Sequence, residues 1–391
     1  MGARGYRFLV PAAMMLSTTC GDAGVGPVKP GFSSTPIGTN SIDGTGLNLD
    51  QVLVSSGIPA SRTVISAGFF RPSIALLPNG SLLAAMFEVG ADENVVVSRS
   101  SDGKTWSTPQ IVLPGRDPYV VRLRDGTLLL SHATLPSDSR FPNKGFISIS
   151  KDDGQTWART EITPSLIPAP AAEVGGAHSI IQLRSGEVLA FQAAKVGTES
   201  RVYVLRSNDS GQSWSSGEMA FRFADEVSAV ELRSGRILAA VRVDGPPAGL
   251  IGDSRQFQPF VDTAHPTDAI TMSNSDDNGR TWTPLKQILP ASAVPAHLLV
   301  LNDDRVVMTY GVRFWPRGVQ AVISTDGGQI WDFSRRYVLC WHSLDFNAGY
   351  PWSIQLADGS ILTSYYARRT EQTPGVFVSS DIYSETIRWT P

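Results

Sequence analysis

The chain has 391 residues and a formal net charge of −3, from 33 Lys and Arg against 36 Asp and Glu scattered along its length. That balance excludes nucleic acid as a partner, which needs a basic stripe or patch. Two cysteines, Cys20 and Cys340, and five histidines without ligand spacing exclude a disulfide framework and a Cys- or His-rich metal site. No metal or organic cofactor is implied.

At the N-terminus, Arg4 and Arg7 precede an apolar stretch, Phe8–Leu16, followed by the small residues Ser17 to Thr19 and Cys20. A charged n-region before a short apolar run has the form of a secretory signal, and the run is too short to span a membrane. Residues 1–20 are therefore expected to direct export. Cys20 is a candidate for lipidation, which would leave the protein surface-anchored rather than secreted or periplasmic. Residues 21–66, rich in Gly, Ser, Thr and Pro, are expected to form a tether and an entry strand.

From residue 67 onward two repeats interleave. Six segments place a short polar turn between apolar runs: LLPNGSLL from Leu76, LRDGTLLL from Leu123, LRSGEVLA from Leu183, LRSGRILA from Leu232, LNDDRVVM from Leu301 and LADGSILT from Leu356. Asn-Gly, Asp-Gly and Ser-Gly in such a setting predict β-hairpins. After each of the first five a further strand is predicted, as in 94–98, 146–149 and 202–205. It leads into a box of the form Ser-x-Asp-(x)-Gly-x-x-Trp, in five copies: Ser100–Trp106, Ser150–Trp157, Ser207–Trp214, Ser275–Trp282 and Ser324–Trp331. Asp and Ser hydrogen-bond their own backbone, Gly supplies positive φ and Trp anchors the turn. The box acids Asp102, Asp152, Asp209, Asp277 and Asp326 are thus expected to be structural.

Repetition about every fifty residues, with four short strands per unit and no helical periodicity, predicts an all-β, six-bladed propeller with four-stranded antiparallel blades. The last blade, around 375–389, has no recognisable box. The inner strands of a propeller start around one axis. Six positions before each leading Leu stand Phe70, Asp117, Ala177, Glu226, Pro295 and Tyr350, with Arg71 and His178 one step further on. Two acids, a phenol and an arginine converging on one cavity are what a glycan-processing site requires.

The boxes resemble the Asp-boxes of the sialidase superfamily, and the resemblance runs from about Ala67 to the C-terminus. Phe70-Arg71-Pro72 is similar to that family's Tyr/Phe-Arg-Ile-Pro motif, without the Ile. The stretch 226–242 (EVSAVELRSGRILAAVR) resembles the blade in which a Glu starts the inner strand and an Arg ends the second. Arg313 and Arg317 lie where the family places its third arginine, and Tyr350, in Gly-Tyr-Pro, where it places its nucleophile. The resemblance implies substrate binding by Arg71, Arg242 and one of Arg313 and Arg317, and nucleophilic attack by Tyr350 with Glu226 as its base. It further implies an acid/base on the blade-one loop 88–93, with Asp92 the candidate and Asp117 its rival; Asp117 is otherwise a substrate-binding residue.

Three guanidiniums suit the carboxylate that a sialic acid carries on its anomeric carbon. A neutral phenol avoids the repulsion a carboxylate nucleophile would meet there. Tyrosine, with a pKa of about 10, needs such a base, and nearby arginines are expected to lower that value. The expected activity is exo-α-sialidase hydrolysis with retention, acting as a monomer on sialylated or other acidic glycans. Two other readings stay open: an arabinan-type glycosidase using Asp117 and Glu226 as paired carboxylates, and a non-catalytic glycan-binding propeller.

Overall fold

The computed structural model describes residues 61–88, 93–134, 144–162, 166–167, 173–243, 268–289, 293, 295–313, 317–341, 343–370 and 378–391. The expected signal segment with Cys20, residues 21–60 and the acid/base candidate Asp92 lie outside the described residues.

Chain order begins with β1 (Ser61–Ala67), which is set aside until the circle closes. Blade one is β2 (Phe69–Leu76), β3 (Leu82–Glu88), β4 (Asn94–Ser100) and β5 (Gln110–Pro114). Blade two is β6 (Arg116–Arg122), β7 (Leu128–Thr134), β8 (Lys144–Ser150) and β9 (Ala158–Ile162). Blade three is β10 (Glu173–Gln182), β11 (Val188–Val196), β12 (Glu199–Ser207) and β13 (Glu218–Arg222). Blade four is β14 (Ala224–Glu231), β15 (Ile237–Val243), β16 (Ala269–Ser275) and β17 (Lys286–Gln287). Blade five is β18 (Ala296–Val300), β19 (Val306–Val312), β20 (Gly318–Ser324) and β21 (Tyr337–Cys340). Blade six takes β22 (Ala348–Gln355), β23 (Ile361–Arg368) and β24 (Ile382–Trp389) from the C-terminus and β1 as its outermost strand. The six sheets are all antiparallel and four-stranded, so the predicted six-bladed propeller is what forms. Pairing of the first strand with the last closes the circle and leaves no open end between them.

Each blade buries both faces against its neighbours. One apolar layer, for example, joins Leu83 and Val95 of blade one to Val120 and Leu128 of blade two. Another joins Leu301 and Val307 of blade five to Ile361 and Trp389 of blade six. The boxes seal these layers from outside. Trp157 and Trp214 pack on the layer between their own blade and the preceding one. Gly154 presses so close to Leu83 of the preceding blade that a Cβ would stand 2.6 Å from its Cδ1, and its φ of +78° independently favours glycine. In all five boxes the Ser hydroxyl donates to the Asp at 2.7–3.0 Å. The hydroxyl and N–H of Thr156, with Ser150, lower Asp152 to about 2. These acids are turn caps in the loop between the third and fourth strands, as their sequence pattern implied.

Between the first and second strands, Leu77, Leu123, Leu183, Leu232, Leu301 and Leu356 each close the same turn, their N–H bonding to the carbonyl four residues on. Arginines of these turns clasp the next blade. Arg124 Nη1 donates to the Leu183 carbonyl at 2.8 Å, Arg184 Nη2 to that of Leu232, and Arg233 Nε to Asp304 at 2.8 Å.

Replacing Ser150 by alanine strands the Gly154 N–H that its hydroxyl accepts at 2.8 Å. The expected cost is about 1–2 kcal/mol of unfolding free energy, read from the urea midpoint; an unchanged midpoint would show that the box does not hold the turn.

Candidate active site

The inner strands deliver their side chains to the axis through a repeated irregularity. In blade one the ladder runs from Phe70 opposite Phe87 to Ser73 opposite Ala85, so Arg71 and Pro72 together face one residue. Asp117 and Pro118 do the same in blade two, Asp225 and Glu226 in blade four, and Tyr350 and Pro351 in blade six. Such bulges re-aim a side chain and locally break pairing. Arg71, Asp117 and Tyr350 hold φ values of 49°, 53° and 50°, in the left-handed region that is costly for residues with a Cβ. Each is followed by a proline, which has no N–H to lose from the ladder.

The turn hydrogen bonds correct one detail of the sequence reading. In blade one the residue equivalent to Leu123 is Leu77, not Leu76, since it is Leu77 whose N–H closes the turn. Six positions back then stands Arg71 rather than Phe70, and the ring holds Arg71, Asp117, Ala177, Glu226, Pro295 and Tyr350.

Tyr350 and Glu226 are 5% and 6% exposed, and the Tyr350 hydroxyl donates to Glu226 Oε1 in a very short hydrogen bond. Glu226 Oε2 accepts from Arg242 Nη1 at 2.7 Å, and Arg242 Nη2 donates to the buried Asp268. The Arg71 guanidinium lies 3.9 Å from the centre of the Tyr350 ring and 2.7 Å from Asp117 Oδ1. Asp117 Oδ2 is 3.2 Å from Arg116 Nε, and Arg116 Nη1 is 3.3 Å from Glu93 Oε1. His178 brings Nδ1 to 3.9 Å from Glu226 Oε1. Below the ring, Tyr119, His297 and Trp352 converge, with ring centres 5.6 and 4.4 Å from that of Trp352, and form the floor of the pocket.

Burial by itself would raise the Glu226 carboxyl, but Arg242, Arg71 and the Tyr350 hydroxyl outweigh it and hold the group well below the usual carboxylate range. Tyr350 goes the other way. Burial raises its hydroxyl above the ordinary tyrosine value, and Arg71, Arg242 and Arg313 recover only part of that shift. The expectation that the arginines would lower the phenol is therefore corrected: desolvation, which local sequence does not display, outweighs them. Tyr350 is therefore a protonated phenol hydrogen-bonded to an ionised carboxylate.

Of the two candidates for the third arginine, buried Arg313 at the end of β19 projects its charge on Tyr350 and Tyr366. Arg317 instead donates to the Leu344 carbonyl at 3.4 Å and braces the loop before β22. Three site residues had no signal in the sequence reading, Asp268, Arg116 and Tyr366, while Glu93 lay in the loop 88–93 expected to carry an acid but was not singled out there. Tyr366, whose ring centre is 5.9 Å from that of Tyr350, occupies in blade six the place that Arg242 holds in blade four, equally far beyond the turn leucine.

Comparison with known proteins agrees with this architecture. A family model described as a BNR repeat-like domain matches residues 80–363. A sialidase from Micromonospora viridifaciens is 26% identical over 323 residues, covering 63% of this chain and 49% of the relative. The chain thus spans about half the length of that curated relative. Among solved structures, a Hadza microbial sialidase superposes with a TM-score of 0.60 at 17% identity, covering 83% of this chain and 66% of the other. An α-L-arabinofuranosidase from Fusarium graminearum does so with a TM-score of 0.59 at 13% identity, covering 84% and 98%.

Burial lowers His178 to about 4 and His297 to about 3, and it also lowers core His132 to about 3. The unfolded chain takes up protons at these positions below about pH 6.5, while the folded chain takes up none until far lower. Stability is therefore expected to fall as pH drops from 6.5 towards 4, by up to about 1.4 kcal/mol per pH unit for each histidine. Urea titrations at about pH 7 and 5 measure this, and a flat profile would contradict neutral burial of the three rings.

Proposed function

Because this chain belongs to the BNR repeat-like family of sialidase-type propellers, we propose that it is an exo-α-sialidase. It would release a terminal sialic acid, or a related acidic sugar, from glycans by hydrolysis with retention. The observation that carries this reading is the buried Tyr350 hydroxyl donating to Glu226 within the field of Arg71, Arg242 and Arg313. A phenol bonded to an ionised carboxylate is a nucleophile with its base already in place. Cations gathered around it suit a substrate whose reacting carbon bears a carboxylate, where a carboxylate nucleophile would be repelled.

In the first step Tyr350 Oη bonds to the anomeric carbon and its proton passes to Glu226, while the aglycone leaves with a proton from a separate acid. In the second step water attacks from the face the aglycone left, opposite the tyrosine, giving one proton to the deprotonated acid, while Tyr350 departs and takes back the proton held by Glu226. Arg242 stays on Glu226 throughout, and Asp268 on the other side of Arg242 keeps its guanidinium aimed at the site. Arg71, lying over the Tyr350 ring, is placed to stabilise phenolate character as the proton departs.

The arabinofuranosidase likeness raises the alternative of paired carboxylates. Against it, Asp117 is engaged by two guanidiniums, Arg71 and Arg116, and Glu226 by Arg242 and a phenol. Neither is arranged as a free acid facing an opposed base. We also propose export through residues 1–20, with Cys20 as a lipid attachment point, since glycan substrates are displayed outside cells.

Turnover of a 4-methylumbelliferyl α-sialoside tests the reading. Tyr350→Phe is expected to lower kcat by roughly three orders of magnitude, the scale of losing a positioned catalytic group. Arg313→Ala is expected to lower kcat/KM by roughly 10- to 150-fold, as for loss of a charge-assisted hydrogen bond of about 1.5–3 kcal/mol, and Arg317→Ala by far less. Undiminished activity in Tyr350→Phe would contradict the mechanism, and an inert wild type on any acidic glycoside would contradict the substrate class.

A further inference from the structure

We propose that Glu93 is the general acid that protonates the leaving oxygen, and that Arg116 stabilises the carboxylate left behind; the assignment rests on the hydrolase reading above. A retaining mechanism needs one carboxyl group that arrives protonated and leaves its proton on the aglycone. Among the described residues, the acids joined to the ring are largely committed elsewhere. Glu226 has one oxygen on Tyr350 and the other on Arg242. Asp117 has one on Arg71 at 2.7 Å and the other on Arg116 at 3.2 Å. Asp268 accepts from Arg242, and Asp225 caps the Glu226 N–H at 2.7 Å.

Asp117 Oδ1, like Glu93 Oε2, is buried without an aligned hydrogen bond, but Asp117 is ion-paired to two guanidiniums and Glu93 to one. Glu93 stands just before β4, where its carbonyl accepts from Gly115 N at 2.9 Å, so its backbone is tied to the strand that leads into Arg116 and Asp117. One carboxyl oxygen is 3.3 Å from Arg116, while Oε2 is buried without a hydrogen-bond donor. A buried oxygen with no hydrogen-bond partner costs a carboxylate more than a neutral carboxylic acid. The surroundings agree: burial raises the group, Arg116 opposes, Asp117 raises it further and Arg71 lowers it, with a net rise above the usual range. An unbroken line of contacts runs from Glu93 through Arg116, Asp117 and Arg71 to the ring of Tyr350.

The balance of the reaction is as follows. The Glu93 proton goes to the glycosidic oxygen as its bond to the anomeric carbon breaks, and the new carboxylate faces Arg116. Tyr350 forms its bond to that carbon as its own proton moves to Glu226. Water then attacks, giving one proton to Glu93, while Tyr350 leaves and recovers the proton held by Glu226. One glycoside and one water become one free sugar and one alcohol.

Leaving-group dependence tests this. Glu93→Gln is expected to slow hydrolysis of a sialoside or an arabinofuranoside with a sugar aglycone by roughly 100-fold or more. Its effect on the matching nitrophenyl glycoside, which needs little protonation, should be less than about 10-fold. The alkaline limb of kcat/KM should vanish in Glu93→Gln, move to higher pH in Arg116→Gln and return in Arg116→Lys, because removing the cation raises the acid. Equal losses on both leaving groups, or a split appearing in Asp92→Asn instead, overturn the assignment while wild-type turnover leaves the hydrolase standing. A wild type inert on both sugars overturns the hydrolase reading and Glu93's role together.

Discussion

A carboxylate as deeply buried as Glu226 stays ionised only if both its oxygens are hydrogen-bonded and a cation is at hand. Arg242 supplies the cation and Tyr350 the second hydrogen bond. Once that pair is fixed, the neighbourhood has little freedom. Arg242 must itself be balanced, and Asp268 takes its other Nη. Tyr350 keeps its proton because burial outweighs the arginines, so the proposed attack requires Glu226 to receive that proton. The same hydrogen bond therefore stabilises the resting site and, in the proposed mechanism, sets the direction of the first proton transfer.

The propeller makes this affordable by repetition. Six hairpins of one design bring six strand starts to one axis, and a bulge interrupts the ladder there in five of the blades at closely matching positions. What differs is the chemistry placed there. A cation, an acid, a second acid and a phenol stand in blades one, two, four and six, while Ala177 and Pro295 leave space in blades three and five. Two residues further along, Ser73, Ser179 and Ser228 stitch each inner strand to the next through hydrogen bonds of 2.9–3.1 Å. In the other three blades Tyr119, His297 and Trp352 fill the axis instead, so the floor is apolar and aromatic. Strain at Arg71, Asp117 and Tyr350 is carried by a scaffold whose interblade layers are otherwise closely packed.

Much of this was legible in the sequence because it is written locally. The Leu-x-x-Gly turns and Asp-boxes set the blades, and a fixed offset from a turn leucine finds Asp117, Glu226 and Tyr350 without any structure. The doublet Leu76-Leu77 misplaced that offset by one residue, since either leucine satisfies the apolar pattern and only the turn hydrogen bond tells them apart. Arg313 and Arg317 were indistinguishable for a similar reason: both lie between β19 and β20, and burial separates them. Asp268 and Arg116 were silent, and Glu93 was not distinguished within its loop, because each matters through a partner on another strand or blade. The direction of the Tyr350 shift was misread because desolvation depends on closure of the whole ring.

Covalent trapping tests the central claim most directly. A 3-fluorosialosyl fluoride forms the glycosyl–enzyme readily but slows its hydrolysis, so the intermediate accumulates. The account predicts an intact-mass increase of one fluorosialosyl group, mapped by peptide digestion to Tyr350, with Tyr350→Phe unlabelled at that site. A label on Glu226 or Asp117, or turnover with inversion and no covalent species, would contradict it.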